Sequence, residues 1–268
     1  MLHNIAYIGG KFNVLKHILK IIPPHKIYLE PFGGMGYVLI NKKPSKFEIF
    51  NDIDENVIDF WKVLQNKEEL DELCRLIENS IIHRKLHQEF KEKFLNKEWK
   101  SRVEKVFWWL YVMYLSQQHS PNIKYDTFKI QVKRKTAQEF RNKISVFQKI
   151  NMRIKNVVFE CRDFREFMEL YCKYDETLCY IDPPYYQSTE NFYTTKFTEK
   201  DHIELLELIL KLKDKIMFII SGFENDLYDS YLKGWNKKVI KKTYKISDST
   251  KVHYNDCLWW SFNIKLII

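Results

Sequence analysis

The segment Asp182-Pro183-Pro184-Tyr185 constrains this chain more than any other stretch of its sequence. It follows the apolar run Leu178-Cys179-Tyr180-Ile181, which reads as a buried strand. Proline lacks an N–H and fixes its own φ, so consecutive prolines end a hydrogen-bonded ladder and hold the following loop rigid. The strand tip therefore presents two acceptors, the Asp182 carboxylate and the Pro183 carbonyl, beside the flat face of Tyr185. Two acceptors and a stacking ring suit a planar ring with an exocyclic NH₂, such as adenine or cytosine. A Pro-Pro turn that merely terminates a strand is the competing reading at this point.

A second strand-like run, Lys26-Ile27-Tyr28-Leu29, leads into Glu30-Pro31-Phe32-Gly33-Gly34-Met35-Gly36. Glycines at a strand-to-helix turn let a ligand approach the backbone closely. The spacing is not that of a dinucleotide fingerprint, and no Lys-Ser/Thr follows, which argues against a phosphate-binding P-loop. A third run, Phe47-Glu48-Ile49-Phe50, ends in Asn51-Asp52-Ile53-Asp54. An acid at the tip of the second strand is where nucleotide-binding α/β folds hold ribose hydroxyls. Together these features favour a cofactor that carries a nucleoside.

The residues now resemble a known family, the Dam-like (D12) S-adenosylmethionine-dependent DNA adenine-N6 methyltransferases. Four segments match in order: Tyr7-Ile8-Gly9-Gly10-Lys11, Glu30 to Gly36, Asp163-Phe164, and Asp182 to Tyr185. Asp256-Cys257-Leu258-Trp259-Trp260 is similar to the family's closing segment, with less specificity. Two departures stand out. Tyr7 occupies a position where many members carry Trp, and Ser221-Gly222 replaces a frequent Ser-Asn, leaving the role of that loop open.

The resemblance implies an α/β, Rossmann-like seven-stranded methyltransferase sheet with an inserted, mainly helical target-recognition domain. On that reading residues 1–60 and 151–268 form the catalytic domain and residues 61–150 the insertion. It also implies S-adenosylmethionine as cofactor and a flipped-out adenine in double-stranded DNA as substrate. Carried over position by position, Asp182, Pro183 and Tyr185 are the catalytic residues. Tyr7, Lys11, Pro31, Phe32, Gly33, Gly34, Gly36, Asp52, Asp163, Phe164 and Asp182 line the cofactor or target pocket. Asp52 would hold the ribose hydroxyls, and Asp163 with the Phe164 backbone the cofactor adenine.

Periodicity fits that architecture. Strands are predicted at 27–30, 47–50, 157–160, 178–181 and 216–220, with a closing antiparallel pair at about 238–246 and 258–267. Helices are predicted over Phe12 to Ile21, Asn56 to Leu64, Phe164 to Tyr171, Glu199 to Lys213 and roughly Asn225 to Leu232. Short apolar runs spaced by helices imply a mostly parallel sheet covered on both faces. Residues 61 to about 150 break the rhythm with helical patterning. There Phe107, Trp108, Leu110, Tyr111 and Tyr114 read as a packing face rather than a base-stacking platform.

Charge points to a polyanionic partner. The 268 residues carry a formal net charge of +9. A lysine-rich composition that merely reflects base bias in the gene is the competing reading. Within the insertion the basic run from Lys124 to Lys143 nominates Lys124, Lys129, Lys133, Arg134 and Lys135 for DNA contact, with Gln131 to Lys135 as one arm of an exposed hairpin. The five cysteines include no CxxC pair, which argues against a metal site and fits a reduced, cytoplasmic setting. No signal peptide and no apolar run long enough for a membrane span is evident. An RNA adenine methyltransferase, a cytosine-N4 enzyme and an inactive DNA-binding relative remain as alternatives. The absence of a Pro-Cys motif argues against cytosine-C5 chemistry. The target sequence, a companion restriction endonuclease and the oligomeric state stay open.

Overall fold

The computed structural model describes residues 12–116, 122–125, 127–129, 136–186, 197–245 and 251–263. Tyr7, Lys11 and the expected hairpin arm from Gln131 to Lys135, with Lys133, Arg134 and Lys135, lie outside them.

The apolar runs singled out above form the centre of one sheet. Strands β1 (Ile27–Glu30), β2 (Phe47–Asn51), β3 (Val157–Glu160), β4 (Thr177–Ile181), β5 (Met217–Phe223), β6 (Asn236–Lys245) and β7 (Lys251–Trp260) are arranged in the order β3-β2-β1-β4-β5-β7-β6. The first five run parallel, and β7 inserts antiparallel between β5 and β6. Parallel strands joined by helical crossovers must be covered on both faces, and side chains alternate between those faces. Tyr28, Phe50, Tyr180 and Ile219 accordingly enter one apolar cluster, while Leu29, Cys179, Ile181 and Ile220 enter another. All five residues of β4 are buried, which is why its sequence reads as a continuous apolar run.

Helices α1 (Phe12–Ile21), α2 (Tyr37–Asn41), α3 (Glu55–Gln65), α4 (Lys67–Asn79), α5 (Arg84–Leu95), α6 (Arg102–Tyr114), α7 (Thr136–Arg141) and α8 (Lys143–Ile154) contribute to the first cluster. In α6, Phe107, Trp108, Leu110 and Tyr111 are buried, with Tyr114 packed against the same cluster. The packing role expected of them holds. Trp61 and Trp109 from α3 and α6 are fully buried, with Trp61 against Phe50 of the sheet at 5.2 Å between ring centroids. Helices α9 (Phe164–Tyr171), α10 (Glu199–Leu212) and α11 (Asp226–Tyr231) cover the opposite face.

Local capping sets several helix starts. Asp54 accepts from the Asn56 N–H to open α3, Asp163 from the Arg165 N–H to open α9, and Thr198 and Asp201 form a capping box at α10.

Two expectations need correction. The last strand begins at Lys251, before the expected 258, and ends at Trp260, with 264–267 outside the described residues. Its pairs with β5 run from Asp256 to Trp260, while those with β6 continue down to Lys251. Ser221-Gly222 is not a loop but part of β5, paired with Leu258 and Cys257. Among the described residues no helix is long and apolar enough to cross a membrane.

Candidate active site

The strand order reverses between β1 and β4, and open α/β sheets bind ligands beyond the carboxyl ends of their strands at such a reversal. The tips of β1, β2 and β3 make one half of this candidate site, and those of β4 and β5 the other.

On the first half, the loop after β1 folds back onto β2. Gly33 donates its N–H to the Asn51 carbonyl at 2.8 Å, and Trp61 donates its indole N–H to the Gly34 carbonyl at 2.8 Å. Gly36 has φ +57°, a left-handed conformation that favours glycine, and it caps α2. A methyl group on Gly33 would lie 2.0 Å from Cζ of Phe50. Gly33 is thus held to glycine by sterics, and Gly36 both by its conformation and by Trp61, which a methyl there would approach to 2.8 Å.

Asp52 sits just past β2. Its Oδ2 accepts the Gly34 N–H and its Oδ1 the Asp54 N–H, each at 2.8 Å. Burial pushes its carboxyl up to about 6, against the lowering effect of those backbone donors. Asp54, the alternative acid in the motif, is buried and accepts from both the backbone and the side-chain nitrogen of Asn56, so its carboxylate serves the start of α3.

One residue with no assigned role ties this half together. Asn51 is fully buried and donates through Nδ2 to the carbonyls of Pro31 and Arg162, both at 2.9 Å, while its Oδ1 accepts the Arg162 N–H at 2.9 Å. A single side chain therefore fixes the loop after β1 to the loop after β3. The latter carries Asp163 and Phe164. Asp163 caps α9 and meets Arg165 at 3.0 Å, and Arg165 also meets Asp201 and Glu204 at 2.5 Å. Phe32, Phe164 and Phe197 form an aromatic triangle with centroid separations of 5.4, 5.6 and 5.6 Å. His202 packs on Phe197 at 4.6 Å and hydrogen-bonds the Tyr228 hydroxyl at 2.8 Å, and burial pushes its pKa down to about 4.

On the second half, Asp182 is half-buried at the tip of β4 and Pro183 is buried behind it. Ser221 of β5 donates to Asp182 Oδ1 at 2.9 Å, and the Tyr180 hydroxyl lies 2.8 Å from Ser221 Oγ. Tyr185 meets Phe223 edge to face, with ring centroids 4.5 Å apart. Beneath the two halves, Glu30 is buried, accepts the Tyr28 hydroxyl at 2.7 Å, and has its carboxyl raised to about 8 by burial, with a contribution from the Asp182 charge.

Of the nominated basic residues, Lys124 and Lys129 are exposed. Lys129 follows Phe128, which bridges antiparallel to Ser116, and its N–H reaches the Leu115 carbonyl at 2.8 Å. Arg84 stacks over the Phe128 ring at 4.7 Å.

The D12 class N6 adenine-specific DNA methyltransferase family matches residues 7–247 of the chain. The chain belongs to this family. Its relatives agree. The DNA adenine methylase of Escherichia coli (strain K12) is 23% identical over 255 residues, covering 91% of this chain and 89% of that one. A DNA N-6-adenine-methyltransferase of Escherichia phage P1 is 38% identical over 61 residues, covering 23% of this chain and only 8% of the phage protein. Among solved structures, an rRNA methylase from Streptococcus thermophilus is similar at TM-score 0.38 and 10% identity, covering 95% of this chain and 98% of that one. The family's chemistry is the methylation of adenine at N6 in DNA, the reaction that the sequence motifs imply, and a methyl donor is part of it.

The motifs therefore locate the two strand tips that bear the acids. Asn51, Ser221, Tyr180 and the buried state of Glu30 are additions from the structure. All four lie in stretches that the sequence motifs mark, Glu30 and Asn51 beside the glycine and Asp52 motifs, Tyr180 in the run before Asp182 and Ser221 in Ser221-Gly222, but their partners are not readable there.

Proposed function

We propose that this D12 methyltransferase transfers a methyl group from S-adenosylmethionine to N6 of an adenine flipped out of double-stranded DNA, with Asp182, Pro183 and Tyr185 at the target base. The observation that carries the reading is the Asp182 carboxylate, held at a strand tip by a neighbouring strand and backed by a rigid Pro-Pro loop.

The residues fit the cofactor. The Asp52 carboxylate accepts the Gly34 N–H on one oxygen and the Asp54 N–H on the other, and a carboxylate's further lone pairs leave capacity for a vicinal hydroxyl. Phe32 and Phe164 offer an apolar wall for a purine, and the Gly33–Gly36 turn brings bare backbone to the pocket. When bound, S-adenosylmethionine supplies a methyl group activated by its sulfonium.

The chain's own residues prepare the other reactant. The N6 lone pair of adenine is delocalised into the ring, so the amine is a poor nucleophile. Hydrogen bonds from N6 to the Asp182 carboxylate and the Pro183 carbonyl favour a more tetrahedral nitrogen and offset the positive charge that grows there. This is catalysis by positioning and electrostatics, with no covalent enzyme intermediate. A base inside a duplex cannot reach such a pocket, so the substrate is extruded and stacked on Tyr185. Residues 61–150 act as the target-recognition domain, with Lys124, Lys129, Lys133, Arg134 and Lys135 on the phosphates.

The test is Asp182→Ala assayed with labelled methyl donor on matched DNA and RNA. Loss of a charge-assisted interaction made mainly in the transition state lowers transfer by about 10²-fold or more. A folded variant with wild-type turnover overturns the assignment of Asp182. Wild-type transfer to RNA in place of DNA overturns the substrate.

A further inference from the structure

We propose that Tyr180 and Ser221 form a two-hydroxyl relay that positions Asp182 for catalysis, which makes both of them positioning residues for methyl transfer. This rests on the assignment of Asp182 to the target amine.

The relay follows from strand pairing. In the β4–β5 ladder Leu178 stands beside Met217 and Ile181 beside Ile220, so the register continued by one residue sets Asp182 beside Ser221. Parallel partners point to the same face, which is why Ser221 Oγ reaches Asp182 Oδ1 at 2.9 Å from beneath. A serine hydroxyl has one hydrogen. Since Ser221 gives it to the carboxylate, the Tyr180 hydroxyl at 2.8 Å must be the donor to Ser221 Oγ. The proton on Tyr180 is secure, because burial and the Asp182 charge raise its pKa well above the ordinary value. Both residues are 1% exposed, so water does not compete for either bond.

Two consequences follow. The dipoles of both hydroxyls point at the carboxylate, and chained hydrogen bonds polarise one another in a medium of low dielectric. The carboxylate also loses rotational freedom, since Oδ1 is tied to a rigid strand and cannot swing away from the amine. A purely structural role for Ser221 would be to satisfy the buried Tyr180 hydroxyl, and such a role would leave the titration of Asp182 untouched.

The experiment compares Ser221→Ala, Tyr180→Phe, the double variant and Asp182→Asn. It measures single-turnover methyl transfer against pH, together with the affinities for S-adenosylmethionine and DNA. Ser221→Ala should slow transfer by about 10- to 100-fold, as expected for one hydrogen bond to a charged group, with both affinities unchanged. A carboxylate that loses a donor titrates at higher pH, so with S-adenosylmethionine held saturating against the titration of Asp52 the acidic limb of the rate profile should move up. Glu30 and Tyr228, the other titratable groups beside Asp182, are the same in every variant. Tyr180→Phe should shift the same limb by less. The double variant should match Ser221→Ala alone, because Tyr180 acts only through Ser221. If Ser221→Ala fails to fold, the limb of Tyr180→Phe decides, and a wild-type limb there overturns the relay. Wild-type rates and limbs in the single variants, or losses that multiply in the double variant, also overturn it. Asp182→Asn separates this failure from a deeper one. If it is inactive while Ser221→Ala is normal, only the relay falls; if it turns over normally, the assignment of Asp182 itself is wrong.

Discussion

Tyr28 donates its hydroxyl hydrogen to Glu30 Oε2 at 2.7 Å, and both residues are closed to water. Burial is the main reason that the Glu30 carboxyl rises from an ordinary 4.5 to about 8, and the neighbouring Asp182 charge pushes the same way. At neutral pH the folded protein thus holds a proton that the unfolded chain has released. A carboxyl shifted upward in the folded state weakens folding progressively as pH rises between its two values, here from 4.5 to about 8.

Glu30→Gln should remove this contribution to the pH dependence. The amide is neutral throughout, so the variant should melt near the wild-type temperature at pH 5 and above it at pH 9. Thermal melts at the two pH values check this. An equal difference at both would mean that Glu30 does not hold its proton in the folded state.

Asp52 titrates in the opposite functional sense. Its carboxyl is raised to about 6, so it is ionised above that value and loses its full acceptor character below it. S-adenosylmethionine affinity should fall as pH drops through about 6, and Asp52→Asn should flatten that dependence. Asp52→Ala should weaken binding at pH 8 by about 1.5–3 kcal/mol, the range for a hydrogen bond to a charged group. Calorimetry across the pH range reads both effects. An unchanged affinity in Asp52→Ala would remove Asp52 from the ribose.

Those two acids differ in how far the sequence alone reveals them. Asp52 follows a recognisable strand and precedes a helix, so its place at a tip is legible from local pattern. The same holds for Asp182, where the prolines mark the end of the strand. Nothing local distinguishes Glu30 as a proton-holding acid, since its burial comes from the strands on either side. Partners set by strand order are invisible at that level. Ser221 reaches Asp182 only because β4 and β5 are neighbours in a register that no local window contains. Asn51 likewise joins Pro31 to Arg162, two loops brought together by the sequence-distant pairing of β3 with β2. The first half of β7 escaped for another reason. Lys251 to Tyr254 have strand partners in β6 only among the described residues, so no second neighbouring strand imposes an apolar run on them.

The glycine turn offers a steric test. Alanine at Gly33 would place its methyl 2.0 Å from the ring of Phe50, which is fully buried and flanked by Trp61 and Phe159. The ring cannot retreat without moving the core, so Gly33→Ala should destabilise by at least the ~1–3 kcal/mol typical of overpacking. At Gly222 the added methyl would meet, among the described residues, only Trp259, at an ordinary 3.5 Å. Gly222→Ala should stay within about 1 kcal/mol of wild type, nearer the effect of a benign substitution. Chemical denaturation of the two variants checks the contrast, and equal losses would place the constraint elsewhere.

The last prediction concerns the basic run. Lys124 and Lys129 are exposed on a segment held to the helical region by the Ser116–Phe128 bridge and by the bond from Lys129 N–H to Leu115. Anchored backbone with exposed ammonium groups suits phosphate binding, which gives affinity and register but little sequence information. Replacing both lysines by Ala should weaken DNA binding and reduce the slope of log affinity against log salt by roughly 0.9 for each phosphate that is no longer neutralised. S-adenosylmethionine affinity should be unchanged, because neither residue belongs to the strand tips proposed to form the pocket. Salt titrations of DNA binding by wild type and variant measure this directly. An unaltered slope with unaltered affinity would make the two lysines ordinary solvated surface and move phosphate binding to other parts of residues 61–150.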